Sequence, residues 1–292
     1  MQRIFVGDIQ GCADELEEIL ARARREFGTA YELWSVGDVV NRGPKSHRAL
    51  ALVREHVEAG RGQVVLGNHA LALLACWLGV RSPQPTDTLE DLLERPDLDE
   101  WCEWVRRRPL AVAGDLGRRA FLLVHASVQP SWTLEDALAE ARANEALLGA
   151  PARETAKGLL LRRSDGLGRL VSCRSVLSNG GWSKELPELL AGAEPWHAAW
   201  RRAGHRYGVA YGHYSMQGLH VADGLRGLDT GCVHHTRGRD GFLTAWLPDP
   251  RDPDPFRVPD VRFWHVLAHR RYYRFADDEP PKKLLDALHR EE

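Results

Sequence analysis

The sequence predicts an α/β fold on three observations. Strand-like and helix-like patterns alternate through the first 80 or so residues. Each of the first three predicted strands ends in glycine followed by Asp, Asp or Asn: Gly7-Asp8, Gly37-Asp38 and Gly67-Asn68. The polar residues are evenly spaced, 30 positions from Asp8 to Asp38 and 30 from Asp38 to Asn68. Alternating βα units argue for a parallel sheet covered by helices. Glycine at a strand end lets the backbone turn sharply beside a ligand. Parallel neighbours about 4.8 Å apart then bring three oxygen-bearing side chains to one edge.

The elements follow in order. Residues 3–6 read as a buried strand. Residues 13–27 read as a helix, with Leu16, Ile19, Leu20 and Ala23 at helical spacing. Residues 32–36 are a second strand. Pro44 precedes a second helix, 46–58, and proline suits a first helical turn. Residues 63–66 and 69–78 make a third strand and helix. A loop with two prolines, 82–88, leads to short amphipathic helices at 89–95 and 98–107. Together, residues 82–108 predict a helical cap beside the site. The apolar runs 110–113 and 120–124 flank Gly114-Asp115-Leu116-Gly117-Arg118, a hairpin pattern. A long helix is expected at 134–148.

Residues 151–206 are glycine-interrupted and carry Trp182, Trp196 and Trp200; they are expected to shape the substrate pocket. Residues 207–211 read as a strand delivering Gly212-His213. Strand candidates at 218–222, 225–228 and 242–247 predict a largely antiparallel second half. One domain is expected over 1–248. Residues 249–292 read as a Pro/Asp-rich linker and a tail, with an edge strand at 261–267 and a helix at 282–289. The basic, aromatic run 269–274 reads as a solvated edge.

Composition excludes several classes. A net charge of −2 gives no overall field for nucleic acid. The longest apolar run, 70–80, is far short of a membrane span. Five cysteines with no C-x-x-C pair suggest reduced thiols, and no signal peptide precedes the first strand; the cytoplasm is expected.

The polar residues at strand ends are Asp8, Gln10, Asp38, Asn68, His69, His125 and His213. Oxygen and imidazole donors of this mix suit Mn²⁺, Fe, Co or Zn rather than a thiolate site. Asp38, in the middle, could bridge two ions about 3.5–4 Å apart. Arg42 offers a planar fork suited to phosphate.

These residues sit in an ordered set: Gly7-Asp8-Ile9-Gln10-Gly11-Cys12, Gly37-Asp38-Val39-Val40-Asn41-Arg42-Gly43-Pro44, Gly67-Asn68-His69, Arg107-Arg108-Pro109-Leu110, Val124-His125-Ala126, Gly212-His213 and Leu228-Asp229-Thr230-Gly231-Cys232. The set resembles the signature of metallophosphoesterases of the phosphoprotein-phosphatase type. More narrowly, it is similar to the symmetrical bis(5′-nucleosyl)-tetraphosphatases, over about residues 3–150 and 207–247.

The resemblance implies a calcineurin-like fold of two facing mixed sheets flanked by helices. It implies two divalent ions, Mn²⁺ or Co²⁺ first and Fe or Zn as alternatives. Asp8, Gln10 and Asp38 would hold one ion; Asp38, Asn68, His125 and His213 would hold the other. His69 would protonate the leaving oxygen, and Arg42 with Asn68 would bind phosphate. The implied substrate is a dinucleoside polyphosphate, with diadenosine tetraphosphate split symmetrically into two ADP. Nucleotide-capped RNA 5′ ends are further candidates. Neither a membrane nor an obligate protein partner is implied.

The chain departs from the pattern at several positions. Gln10 stands where His is usual, Asn41 where protein phosphatases carry an Asp, and Ala70 where the narrower family has a carboxylate. Ser127, Tyr214 and His234-His235 also differ. Two other readings therefore stand beside the first: a Ser/Thr protein phosphatase or general phosphomonoesterase, and a degenerate nucleotide sensor without catalysis.

Overall fold

The computed structural model describes residues 1–162, 164–235, 239–260 and 262–272. It begins with β1 (Gln2–Val6), α1 (Ala13–Phe27), β2 (Tyr31–Ser35), α2 (Ser46–Glu58), β3 (Gly62–Val64) and α3 (Asn68–Trp77). Short helices α4 (Glu90–Leu93) and α5 (Leu98–Val105) lead into the hairpin β4 (Ala111–Leu116) and β5 (Arg119–Val124). Then come α6 (Leu134–Leu148), α7 (Arg153–Arg162) and α8 (Asp165–Ser172). The strands β6 (Ser175–Leu177), β7 (Trp182–Ser183) and β8 (Ala193–Pro195) form a small sheet, followed by α9 (Trp196–Ala203). The chain closes with β9 (Gly208–Tyr211), β10 (His220–Ala222), β11 (Leu225–Gly227), β12 (Phe242–Trp246) and β13 (Phe263–Leu267).

Two five-stranded sheets carry the domain, in the orders β13-β12-β1-β2-β3 and β10-β11-β9-β5-β4. Alternating side chains show why the sheets face each other. Ile4, Val6 and Leu33 join one apolar cluster with the helices, while Phe5 and Trp34 join a second. On the other sheet, Leu122, Val124 and Val209 go to the helix side and Phe121, Leu123 and Ala210 to the second cluster. Strands apolar on both faces need a cover on both. Between the sheets, Phe5 meets Phe121 edge-on at 5.4 Å and Trp246 at 5.1 Å; each such pair adds about 0.5–1.5 kcal/mol beyond area burial.

Both sheets are mixed. β1, β2 and β3 run parallel, and β12 is antiparallel to β1. The expectation of a largely antiparallel second half is corrected: β9 is parallel to both β5 and β11. The crossover from β5 to β9 is long and helical, which is what a parallel connection requires.

Three other stretches differ from expectation. The cap of residues 82–108 divides in two: the 82–88 loop turns toward the strand ends, while α4 and α5 pack behind, on α2 and α3. There Trp101 lies edge-on to His47 and under the Arg54 guanidinium. Residues 249–259 are not a loose linker. Phe256 is fully buried between the sheets, and the Pro255, Phe256 and Arg257 carbonyls accept from the buried Arg226 guanidinium. An apolar anchor and a buried cation that needs acceptors hold this stretch in place. Residues 269–272 are not a solvated edge either, because they strap across α1 through Glu15 and Glu18. The helix expected at 282–289 lies outside the described residues. No helix among the described residues is long and apolar enough to cross a membrane.

Candidate metal centre

The strands of both sheets end at one edge and deliver the candidate residues there. Asp8 follows β1, Asp38 follows β2, Asn68 opens α3 just after β3, His125 follows β5, and His213 follows β9. Glycines make room. A Cβ on Gly67 would lie 2.1 Å from Asp38 Oδ1, and one on Gly212 would lie 1.9 Å from Asp8 Oδ1. Among the described residues, the non-glycine positions with positive φ are Gln10, Asp38, Asn41, Arg42 and His213. Each costs about 1–3 kcal/mol, and such strain collects where a functional geometry is over-determined. Backbone bonds lace the loops together: Gln10 N–H donates to the Asp38 carbonyl at 2.7 Å, and Gly43 N–H to the Gln10 carbonyl at 2.8 Å.

Four donor atoms converge. Asp38, His125 and His213 are buried with ligand atoms within 4.8 Å of one another. Asn68 Oδ1 lies 2.8 Å from His213 Nδ1, 3.2 Å from His125 Nε2 and 3.3 Å from Asp38 Oδ2. The backbone sets both imidazole tautomers. His125 Nδ1–H donates to the Val36 carbonyl at 2.9 Å, leaving Nε2 as a bare lone pair 3.1 Å from Asp38 Oδ2. His213 Nε2–H donates to the Ser172 carbonyl at 3.0 Å, leaving Nδ1 bare. This outer bonding is the usual way a ligating histidine is oriented. The result is a knot of lone pairs with no proton between them. A cation at its centre removes the repulsion; without one, the Asn68 amide would turn its NH₂ inward instead.

The charges agree. Asp8, Asp38 and Asp229 are all buried. Burial raises the Asp8 carboxyl well above its ordinary value, and Asp229 and Asp38 raise it further. Asp229 is pushed up to about 6, by burial first, against the Gly231 N–H that it accepts. For Asp38, burial pushes up, but positive charge on the surrounding His125 and His69 rings would hold the carboxyl below its ordinary value; a cation among the bare ring nitrogens supplies the same charge. Burial, then Arg174, drives His213 down, so its ring is neutral. Crowded buried carboxylates beside ring nitrogens that face them call for a cation. The residues present therefore fit a divalent ion with oxygen and nitrogen ligands.

The remaining candidates surround this knot. Asp8 accepts from His213 N–H through both oxygens, at 3.1 and 3.2 Å. Gln10 is buried on the loop beside Asp38, joined to it through main chain. Arg42 donates to the Thr86 carbonyl of the 82–88 loop. His69 N–H donates to Asp38 Oδ1 at 2.9 Å, and its Nε2 stands 3.8 Å from Asp38 Oδ2.

Sequence reasoning missed Asp87. Asn41 Oδ1 accepts from Arg42 N–H at 2.8 Å and Thr88 N–H at 2.9 Å, which fixes the amide. Its NH₂ must then face Asp87 Oδ1, at 2.8 Å, and His69 Nδ1, at 3.0 Å. His69 Nδ1 is therefore an acceptor, and the ring proton sits on Nε2, facing the knot. Arg81 and Gln84 N–H hold the other Asp87 oxygen at 2.7 and 2.8 Å. Burial raises the Asp87 carboxyl, but these donors and Asn41 bring it down to about 2. So the carboxylate absent at positions 41 and 70 is supplied one residue removed, from the loop. An Asp two residues after Pro85, in a loop with two prolines, was the available sequence signal. Arg174 is half-buried and donates to the His213 carbonyl at 3.4 Å.

Comparison with known proteins agrees with this geometry. The family model described as calcineurin-like phosphoesterase matches residues 1–157. A protein of Ralstonia nicotianae named "Bis(5'-nucleosyl)-tetraphosphatase, symmetrical" is 37% identical over 287 residues, covering 91% of this chain and 96% of the relative. A Klebsiella pneumoniae protein of the same name is 35% identical over 253 residues, covering 80% and 88%. A solved structure of a candidate diadenosine tetraphosphatase shares the fold, with a TM-score of 0.60, 21% identity and coverage of 91% of this chain and 93% of that one. The chain belongs to the calcineurin-like phosphoesterases and, within them, to the symmetrical bis(5′-nucleosyl)-tetraphosphatase family.

Proposed function

We propose that this chain is a metal-dependent hydrolase that splits diadenosine tetraphosphate symmetrically into two ADP. Nucleotide-capped RNA 5′ ends present the same phosphoanhydride chain and are a further candidate substrate. The single observation that carries the reading is the knot of Asp38, Asn68, His125 and His213 lone pairs, in a chain whose relatives bear that name. Asp38, Asn68, His125 and His213 would hold one divalent ion; Asp8, Gln10 and Asp38 would hold a second, with Mn²⁺ the first candidate. Bound there, such ions supply Lewis acidity and a water acidic enough to ionise near neutral pH.

The chain's own residues do the rest. Arg42, on the 38–43 loop, and Arg174, the residue before β6 that donates to the His213 carbonyl, offer guanidiniums suited to a phosphate chain. His69 presents Nε2–H toward the knot and gives its proton to the departing phosphate oxygen. Asn41 and Asp87 keep that proton on Nε2. Chromatography of the reaction should show ADP alone from diadenosine tetraphosphate, with poor turnover of a phosphopeptide. AMP plus ATP would refute symmetrical cleavage; preference for the phosphopeptide would favour a protein phosphatase.

The relay has its own expected result. Asp87→Asn keeps shape but removes the acceptor that orients Asn41, and losing an outer partner usually costs about 10–100-fold. The loss should fall on kcat rather than KM. Adding Asn41→Asp, which restores a carboxylate directly against His69, should recover most of it. Steady-state kinetics of the single and double variants check this; an unrecovered loss would mean that Asp87 only supports the loop.

A further inference from the structure

A second buried cluster lies on the helix side of the first sheet. Cys12 caps the N-terminus of α1 and Glu15 lies in its first turn, so they share one face of the helix. Cys232 follows Gly231, whose φ of 67° turns the chain back toward α1. The two sulfurs and a Glu15 carboxylate oxygen lie within 4.8 Å of one another. All three side chains are buried, Glu15 completely.

Glu15 makes this more than a pair of core thiols. Its Oε1 accepts from His269 N–H at 2.8 Å and from the Tyr272 hydroxyl at 2.6 Å. Its Oε2 is buried and has no hydrogen-bond partner. No salt bridge to Glu15 forms among the described residues. A buried carboxylate with an unmatched oxygen and no counter-charge among the described residues is costly unless a proton or a cation meets it. The groups beside it are two sulfurs, which as thiolates are soft metal ligands.

We propose that Cys12, Glu15 and Cys232 form a further metal site, structural in role, that takes a thiolate-preferring divalent ion of the Zn²⁺ type. Two sulfurs and one carboxylate oxygen make a ligand set that zinc accepts. It differs in kind from the sulfur-free knot of the strand edge, which suits harder ions. The His269 and Tyr272 bonds hold the carboxylate in place, as outer partners of metal ligands do. An ion there would tie the start of α1, two residues past Gln10, to the loop that follows Asp229. It would also fasten the strap of residues 268–272 over both.

Cobalt separates this site from the catalytic one. The full chain, stripped with chelator under reducing conditions and titrated with Co²⁺, should develop a near-ultraviolet thiolate-to-metal charge-transfer band, whose full intensity corresponds to one thiolate-bound ion per chain. The strand-edge knot has no sulfur and adds nothing to that band. The band should persist in Asp38→Asn, which disables the other site, and vanish in Cys232→Ser. Zn²⁺ should raise the Tm of Asp38→Asn, since a ligand that binds only the folded state stabilises it; adding Cys232→Ser should abolish that rise. A folded, reduced wild-type chain without the band, or a band that survives Cys232→Ser, would overturn the proposal. Neither outcome depends on which nucleotide the enzyme cleaves, so this proposal and the functional one fail separately.

Discussion

Asp38→Asn lowers kcat by about 10³-fold or more, on the reasoning that a catalytic ion contributes several kcal/mol and each 1.36 kcal/mol is tenfold. Asp38 is the residue around which the site is built. Its Oδ2 lies 3.1 Å from His125 Nε2 and 3.8 Å from His69 Nε2, and its Oδ1 accepts from His69 N–H. Its backbone φ is 44°, a conformation that asparagine tolerates nearly as well as aspartate, so the turn survives the change. What the variant loses is the negative charge. It also places an NH₂ among lone pairs that it can satisfy. The metal-free variant should therefore melt at or above the Tm of the metal-free wild type while binding less metal. Calorimetry beside elemental analysis and steady-state kinetics checks this. A variant that keeps its metal and its rate would remove Asp38 from the centre of the site.

His69→Asn costs about 10²–10⁴-fold in kcat, the range for loss of a positioned general acid. The loss should depend on the leaving group. Aryl phosphates with acidic phenols leave without help and should lose little. Phosphates with basic leaving groups need the Nε2 proton and should lose most. Metal content should stay at the wild-type level, because His69 is not one of the converging donors. Plotting log kcat against leaving-group pKa for both proteins gives the answer. Parallel lines would mean that His69 does not donate the proton. A steeper line for the variant is the expected result.

The strand-edge residues were legible because their signals are local. Each of Asp8, Asp38 and Asn68 directly follows a glycine just past a strand, and the close approaches at Gly67 and Gly212 leave no room for a side chain there. His125 and His213 were legible for the same reason, as strand-end residues of the other sheet. The tautomers were not legible, since they depend on the Val36 and Ser172 carbonyls, remote in the chain. Asp87 was hidden for a similar reason: it acts through Asn41, 46 positions away. Reading position 41 alone suggested a missing carboxylate, whereas the loop supplies one.

The larger misreadings have the same cause. Phe256 is a lone aromatic in a stretch of prolines and aspartates, and nothing local marks it as core. Its burial follows from Arg226, which collects carbonyls from residues 255–257. Residues 151–206 gave no periodic signal because their elements are short. α7 and α8 pack on α6, and β6 to β8 make a small sheet of their own. Trp196 and Trp200, which looked like pocket residues, are buried core.

The central claim is that the lone pairs of Asp38, Asn68, His125 and His213 converge to hold a cation. Anomalous diffraction from crystals of the Mn²⁺-loaded protein tests it most directly. The expected result is a peak ringed by Asp38, Asn68 Oδ1, His125 Nε2 and His213 Nδ1, with a second peak about 3.5–4 Å away on the Asp8 and Gln10 side. Finding no peak there, with the Asn68 NH₂ turned inward onto the imidazole nitrogens, would contradict it.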